Sequence, residues 1–173
     1  AEAAQRGPEP VSCMTAKAEL PKVLTDAVVE SCDSSGCVDG TEDGLTMLEA
    51  IREVLKYRME HDDRITLFGE DLEDPKGDVF GVTRGLSSIY PGRVMNSPLA
   101  EASIVGLSIG RALVGGRPVC FLQFADFLPI AFNQIWAELG SMFWRTAGGW
   151  KVPVIVMATC GGFKPGLGPF HAS

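Results

Sequence analysis

The sequence predicts an α/β domain: a parallel sheet with helices on both faces. Three observations carry that prediction. Segments with strand and helix character alternate from Thr46 onward. The strand segments are short, continuous apolar runs, the pattern of strands covered on both sides rather than of half-exposed ones. Glycine, proline and aspartate cluster between the segments, where turns are needed.

The elements follow in order. Thr46-Met47-Leu48-Glu49 has the spacing of a capping box and opens an amphipathic helix to about His61. Ile65–Phe68 is a short strand ending at Gly69-Glu70-Asp71, followed by a loop through Asp74-Pro75-Lys76-Gly77. A short helix near Arg84–Tyr90 is broken by Pro91-Gly92, and Arg93–Asn96 is a second strand, ending at Ser97-Pro98. Glu101–Gly115 reads as a helix rich in small residues, Pro118–Phe124 as a buried strand, and Phe127–Thr146 as a long helix closed by Gly148-Gly149. Pro153–Thr159 is another buried strand, and Gly161–Gly168 a glycine-rich loop leading to His171.

Residues 1–44 differ from the rest. They carry three basic and nine acidic side chains, which leaves only −1 of the net −7 for the remainder. With Pro8, Pro10, Pro21 and the cluster Ser31–Gly40, they read as an acidic linker or disordered extension, with room for a short helix at Pro21–Glu30. Residues 45–173 are then the folded domain.

Composition excludes several classes. At 46% hydrophobic and 21% charged residues, the 173-residue chain is ordinary for a globular protein. No apolar run reaches the roughly 18 residues of a membrane span, and no secretion signal opens the chain. No basic patch is present to meet nucleic-acid phosphates. The five cysteines are odd in number and include no CxxC. Cys32 and Cys37 are the only close pair, and with two histidines in the chain a zinc site there is disfavoured. A reducing cytoplasm fits this usage.

In parallel sheets, ligands gather at the carboxyl ends of the strands. That singles out Glu70, Glu101, Ala125-Asp126-Phe127 and the loop ending at His171. Locally, each has an ordinary reading. Glu101 is a carboxylate that favours a helix N-terminus, Gly106 and Gly110 permit tight packing, and His171 is a loop histidine.

The stretch from Gly69 to His171 nevertheless resembles a known family. LFGEDLEDPKGDVFGVTRGL, RVMNSPLAEASIVGLSIGRALVGGRP, LQFADFLPIAFNQI, RTAGG and GLGPFHAS are similar to the β subunit, or β region, of the E1 component of 2-oxo acid dehydrogenases. Glu101 followed by Gly106 and Gly110 matches the pattern of thiamine enzymes. QFADF with AFNQI is closer to the branched-chain enzymes than to the pyruvate ones. The resemblance covers most of residues 46–173 and implies the pyrimidine-binding, transketolase-like fold, incomplete at its C-terminal end.

It also implies roles. Glu101 matches the glutamate that bonds the aminopyrimidine ring of thiamine diphosphate, a task suited to a carboxyl whose acidity is weakened in a low-dielectric cleft. Phe127 matches the ring that packs on the aminopyrimidine. Leu99 and Gln123 match positions lining the same pocket, Glu70 the acidic interior of the site, and His171 the active-site histidine. The implied activity is oxidative decarboxylation of a 2-oxo acid, branched-chain first and pyruvate next, with acyl transfer to a lipoyl domain. The implied partners are an E1 α part, separate or fused through the acidic linker, an E2 lipoyl acyltransferase and a second β copy. Mg²⁺ ligands are expected on the α part and none here, so this chain alone should not turn over. The implied place is the cytoplasm, or the mitochondrial matrix of a eukaryote. Ala172 and Ser173 depart from the Ser and Gln usual after the histidine. Two other readings are a transketolase-like enzyme acting on sugar phosphates and a non-catalytic module that keeps the fold.

Overall fold

The computed structural model describes residues 45–160, together with the backbone of Cys32–Asp33 and Gly36–Cys37. The chain divides into two units, residues 1–44 and 45–173. In the first unit, β1 (Cys32–Asp33) pairs antiparallel with β2 (Gly36–Cys37), with Cys32 opposite Cys37. The short helix expected at Pro21–Glu30 and the loop Gly161–Gly168 lie outside the described residues.

The second unit is built on β3 (Ile65–Gly69), β4 (Val94–Asn96), β5 (Arg117–Phe124) and β6 (Ile155–Thr159), in the order β4-β3-β5-β6. Every pairing in this sheet is parallel. Side chains alternate across it and feed two cores. Val119 and Phe121 of β5 join Leu67, Leu72 and Val94 against Leu55 and Met59 of helix α1 (Met47–His61). Cys120 and Leu122 of β5 join Ile104, Val105 and Ile109 of helix α3 (Glu101–Leu113) on the other face. The sheet is thus covered on both sides, as its uninterrupted apolar strands require.

The capping box is present as the spacing predicts. The Thr46 hydroxyl accepts from the Glu49 N–H at 3.3 Å, and the Glu49 carboxylate accepts from the Thr46 N–H at 2.9 Å. Helix α2 (Leu86–Ile89) is shorter than the expected Arg84–Tyr90, because Gly85, at φ 87°, starts it in a left-handed conformation.

The long helix expected over Phe127–Thr146 is replaced by three pieces. These are a 3-10 helix (Ala125–Ala131), a π-helix (Asn133–Leu139) and α4 (Gly140–Arg145). Pro129 explains the first piece, since it has no N–H for an α-helical ladder and its ring crowds the preceding turn. The glycines of the small-residue helix α3, a candidate for close packing across a subunit contact, are not crowded by the described residues of this chain. A Cβ at Gly106 would lie 3.9 Å from Gln134, an ordinary contact, and one at Gly110 would meet nothing within 4 Å.

Candidate functional site

The chain leaves β3 for β4 on one side and β5 for β6 on the other. The carboxyl ends of β3 and β5 therefore flank a crevice where the connections diverge, the usual ligand position in such sheets. Gly69 closes β3 beside Phe121, so tightly that a Cβ on it would fall 2.3 Å from the Phe121 carbonyl oxygen. The next residue, Glu70, is delivered straight into the crevice. From β5, Gln123 spans the gap and its Nε2 donates to the Glu70 carbonyl at 2.6 Å.

Both side chains are buried and incompletely satisfied. Among the described residues four buried side-chain oxygens lack a partner, and two of them, Glu70 Oε1 and Gln123 Oε1, sit here. A buried polar atom without a partner is costly, so two together mark a place prepared for a polar group. Glu70 is only 2% exposed. Burial raises its pKa first, and the charges of Glu101 and Asp71 raise it further. Glu101, which opens α3 and is half-buried, thus lies within electrostatic reach of Glu70.

The remaining expected residues surround this pair unevenly. Leu99 is 81% exposed. Phe127 is half-buried, 6.1 Å from Phe124 with their rings at 81°, an edge-to-face contact. Phe124 meets Phe80 in the same way, at 6.2 Å and 84°. His171 lies outside the described residues. The structure therefore brings Glu70, Gln123 and Glu101 to one edge of the sheet, with Phe127 at the exit of β5.

Two features near the edge carry no plain signal in the sequence. The loop after Glu70 is held by Asp74, whose carboxylate accepts from the Gly85 N–H at 2.6 Å, the Ser87 hydroxyl at 2.7 Å, and the Ser88 N–H and hydroxyl at 3.1 and 2.7 Å. These bonds lower the Asp74 pKa to about 2, the Ser88 hydroxyl contributing most. Arg52 of α1 secures the far end of the loop by donating to the carbonyls of Gly81 and Val82. The second feature is an apolar cavity of about 350 Å³ on the α1 face, lined by Met47, Ile51, Phe80, Phe124 and Met157, with Asp78 in its wall. Burial pushes the Asp78 carboxyl up, against the opposing pull of the Phe80, Val79 and Val82 N–H groups. Only the glycine and aspartate of Gly77-Asp78, both at positive φ, hint at that wall in the sequence.

Among the described residues, no group of three or more His, Cys, Asp or Glu side chains could hold a metal ion. No helix among them is long and apolar enough to cross a membrane.

Comparison with known proteins places this geometry in context. A family model described as "Transketolase, pyrimidine binding domain" matches residues 43–173. The 2-oxoisovalerate dehydrogenase subunit beta of Bacillus subtilis is 41% identical over 119 residues, 68% of this chain and 36% of that protein. Its namesake from Pseudomonas aeruginosa is 37% identical over 123 residues, 70% of this chain and 35% of that protein. The pyruvate dehydrogenase E1 component subunit beta of Leifsonia xyli is 40% identical over 119 residues, 68% of this chain and 35% of that protein. The chain thus matches only about a third of the length of these relatives.

Proposed function

The chain belongs to the transketolase pyrimidine-binding-domain family, and from that premise we propose that it forms the aminopyrimidine half of the active site of a 2-oxo acid dehydrogenase E1 component, on its β side. The observation that carries the proposal is the buried crevice in which Glu70 and Gln123 each present an unpartnered oxygen beside Glu101.

The residues present fit one half of thiamine diphosphate. A ring bearing an amino group, which donates, would satisfy the orphaned oxygens, and Phe127 offers a flat apolar face. When bound, the cofactor supplies a carbon nucleophile for the 2-oxo acid carbonyl. Glu101 would share a proton with a ring nitrogen through its carboxylate, once a second wall closes the site to water. Glu70, whose carboxyl acidity is weakened first by burial and then by the Glu101 and Asp71 charges, would turn its unpartnered Oε1 to the ligand. Gln123 fixes the Glu70 backbone and aims its own oxygen at the ligand.

The exposure of Leu99 and the half-exposure of Glu101 and Phe127 describe a one-sided site. A second wall would come from an α part, separate or fused, which would also hold Mg²⁺ and the diphosphate. His171 would handle the intermediate on its way to the lipoyl group of an E2 acyltransferase. A branched-chain 2-oxo acid is the favoured substrate, with pyruvate next, because QFADF with AFNQI is closer to the branched-chain enzymes, while the relatives named for 2-oxoisovalerate and for pyruvate are about equally identical to this chain.

The test is turnover with an artificial electron acceptor, thiamine diphosphate and Mg²⁺, using the full-length gene product with its α part. Wild type and Glu101→Gln are compared on 3-methyl-2-oxobutanoate and pyruvate. The expected outcome is cofactor-dependent turnover, faster with the branched acid, falling at least 100-fold in the variant, the scale of one lost proton-transfer group. Turnover that the variant leaves unchanged would refute the role given to Glu101. No turnover of either acid would refute the proposed reaction.

A further inference from the structure

Glu70 and Glu101 reach the crevice on separate stretches of chain, and a reciprocal bridge ties those stretches together. Glu70 directly follows Gly69, the last residue of β3, while Glu101 follows β4 across residues 97–100. The two strands end side by side, with Gly69 opposite Asn96. One more ladder bond follows, from the Ser97 N–H to the Gly69 carbonyl at 2.7 Å. The bridge lies just beyond it. The Glu73 N–H donates to Asn96 Oδ1 at 3.0 Å, and the Asn96 N–H donates to Glu73 Oε1 at 3.1 Å. Each side chain thus caps the other residue's backbone, across 23 positions of sequence.

The bridge sits where the sheet is weakest. β4 has three residues and, among the described strands, pairs with β3 alone. Such an edge strand leaves every second N–H without a ladder partner, and its end opens readily. Ser97 donates toward β3, so strand alternation turns the Asn96 N–H to the open side, where the Glu73 carboxylate meets it. Glu73 itself stands on fixed ground. Leu72 before it is fully buried, and Asp74 after it is held by Gly85, Ser87 and Ser88. Nothing comparable secures the start of α3, whose N-cap Ala100 makes no side-chain capping bond. Residues 97–100 therefore take their course from Asn96.

We propose that Glu73 and Asn96 are positioning residues, whose bridge fixes the exit of β4 against the loop after β3 and so sets the approach of Glu101 to Glu70. They act through Glu101 rather than on a ligand. Their effect on turnover rests on the function proposed above, whereas the bridge and its hold on the β4 exit do not. Misplacing a catalytic group by 1 Å costs on the order of 100-fold in rate. A β4 exit that is loosened, and displaced for part of the time, should cost about 10-fold.

The experiment uses the full-length gene product with its α part and two readouts. The first is hydrogen exchange by mass spectrometry, without cofactor, on peptides covering residues 95–101. Glu73→Ala and, separately, Asn96→Ala should speed exchange there about 10-fold, the scale of one lost hydrogen bond, and leave peptides of α1 unchanged. Glu73→Gln keeps an accepting oxygen for the Asn96 N–H and should return exchange close to that of wild type. The second readout is turnover with thiamine diphosphate and Mg²⁺ saturating. In Glu73→Ala, kcat should fall about 10-fold while KM for the 2-oxo acid stays within about twofold, the mark of an interaction made in the transition state. Glu73→Gln should recover most of that loss. Exchange that Glu73→Ala leaves unchanged, or that Glu73→Gln speeds as much as Glu73→Ala does, overturns the bridge. Faster exchange with kcat unchanged overturns the positioning role, as does a fall in kcat that Glu73→Gln does not recover. A wild type that turns over neither acid refutes the reaction proposed above, and exchange then decides the bridge by itself.

Discussion

Replacing Gly69 with alanine tests how the site edge is built. Gly69 lies in the ladder between β3 and β5, opposite Phe121. An added Cβ would stand 2.3 Å from the Phe121 carbonyl oxygen, 2.9 Å from its Cβ and 3.0 Å from its nitrogen. Two of those atoms are backbone and cannot rotate away. Restoring 3.0 Å to the oxygen requires the strands to part by about 0.7 Å, which would stretch the 2.6 Å bond from Gln123 to the Glu70 carbonyl toward 3.3 Å. Strain of this kind in a packed interior costs about 3 kcal/mol. For a chain of this size that is a fall of about 6–12 °C in melting temperature. Two other glycines provide the scale. Gly85→Ala, at φ 87° with open space around it, should cost about 1–2 kcal/mol from backbone strain alone. Gly110→Ala, within a helix and also in open space, should be neutral or gain up to about 1 kcal/mol. Urea titration with circular dichroism ranks the three. A Gly69→Ala chain that unfolds with wild type, or loses no more than Gly85→Ala, would refute the account of the strand junction.

Three further outcomes are expected. Asp74 has its pKa held near 2 rather than 3.8 by its serine and glycine donors, so its stabilisation is fully present above pH 3.8 and fades as pH falls toward 2. Asp74→Asn should cost about 1 kcal/mol at pH 6, after discounting for exposure, and the gap in thermal melts should narrow between pH 4 and 2. Glu70 shifts the opposite way, with a folded pKa above 4.5, so its ionisation opposes folding as pH rises through that range. Glu70→Gln should melt above wild type at pH 7 and converge with it below pH 4, and a variant less stable at pH 7 would contradict the burial argument. Thr46→Ala removes the cap of α1 and should lower stability by about 1 kcal/mol in chemical denaturation.

What the sequence made legible was local. The Thr46–Glu49 box and the uninterrupted apolar runs are decided by neighbours in the chain, and they placed α1, the strands and the two-sided cover of the sheet. Strand ends are legible, so Glu70 and Glu101 can be assigned to the carboxyl edge from the sequence, whereas Gln123, which bonds the Glu70 carbonyl there, is reached only through the family resemblance. The misreadings arise where distant contacts or one awkward residue decide. Phe127–Thr146 has helical periodicity throughout, but Pro129 forces a tight 3-10 start and the following turns widen to keep Ile135 and Leu139 in the core. The Asp74 clamp joins residues 11 to 14 positions apart through a loop whose shape no periodicity encodes.

The π-helix at Asn133–Leu139 bears on how the chain can change its length. Adding or deleting a residue in an α-helix turns everything beyond it by about 100°. A π-turn is in effect an α-helix holding a surplus residue. Removing one residue between Asn133 and Leu139 would let that segment tighten into an α-helix and leave Gly140–Arg145 in its present rotational phase. The same deletion inside Gly140–Arg145 would swing Met142 out of the core and carry an exposed neighbour in. The wide turn is therefore a phase buffer, a stretch where an indel can be absorbed without scrambling the faces on either side.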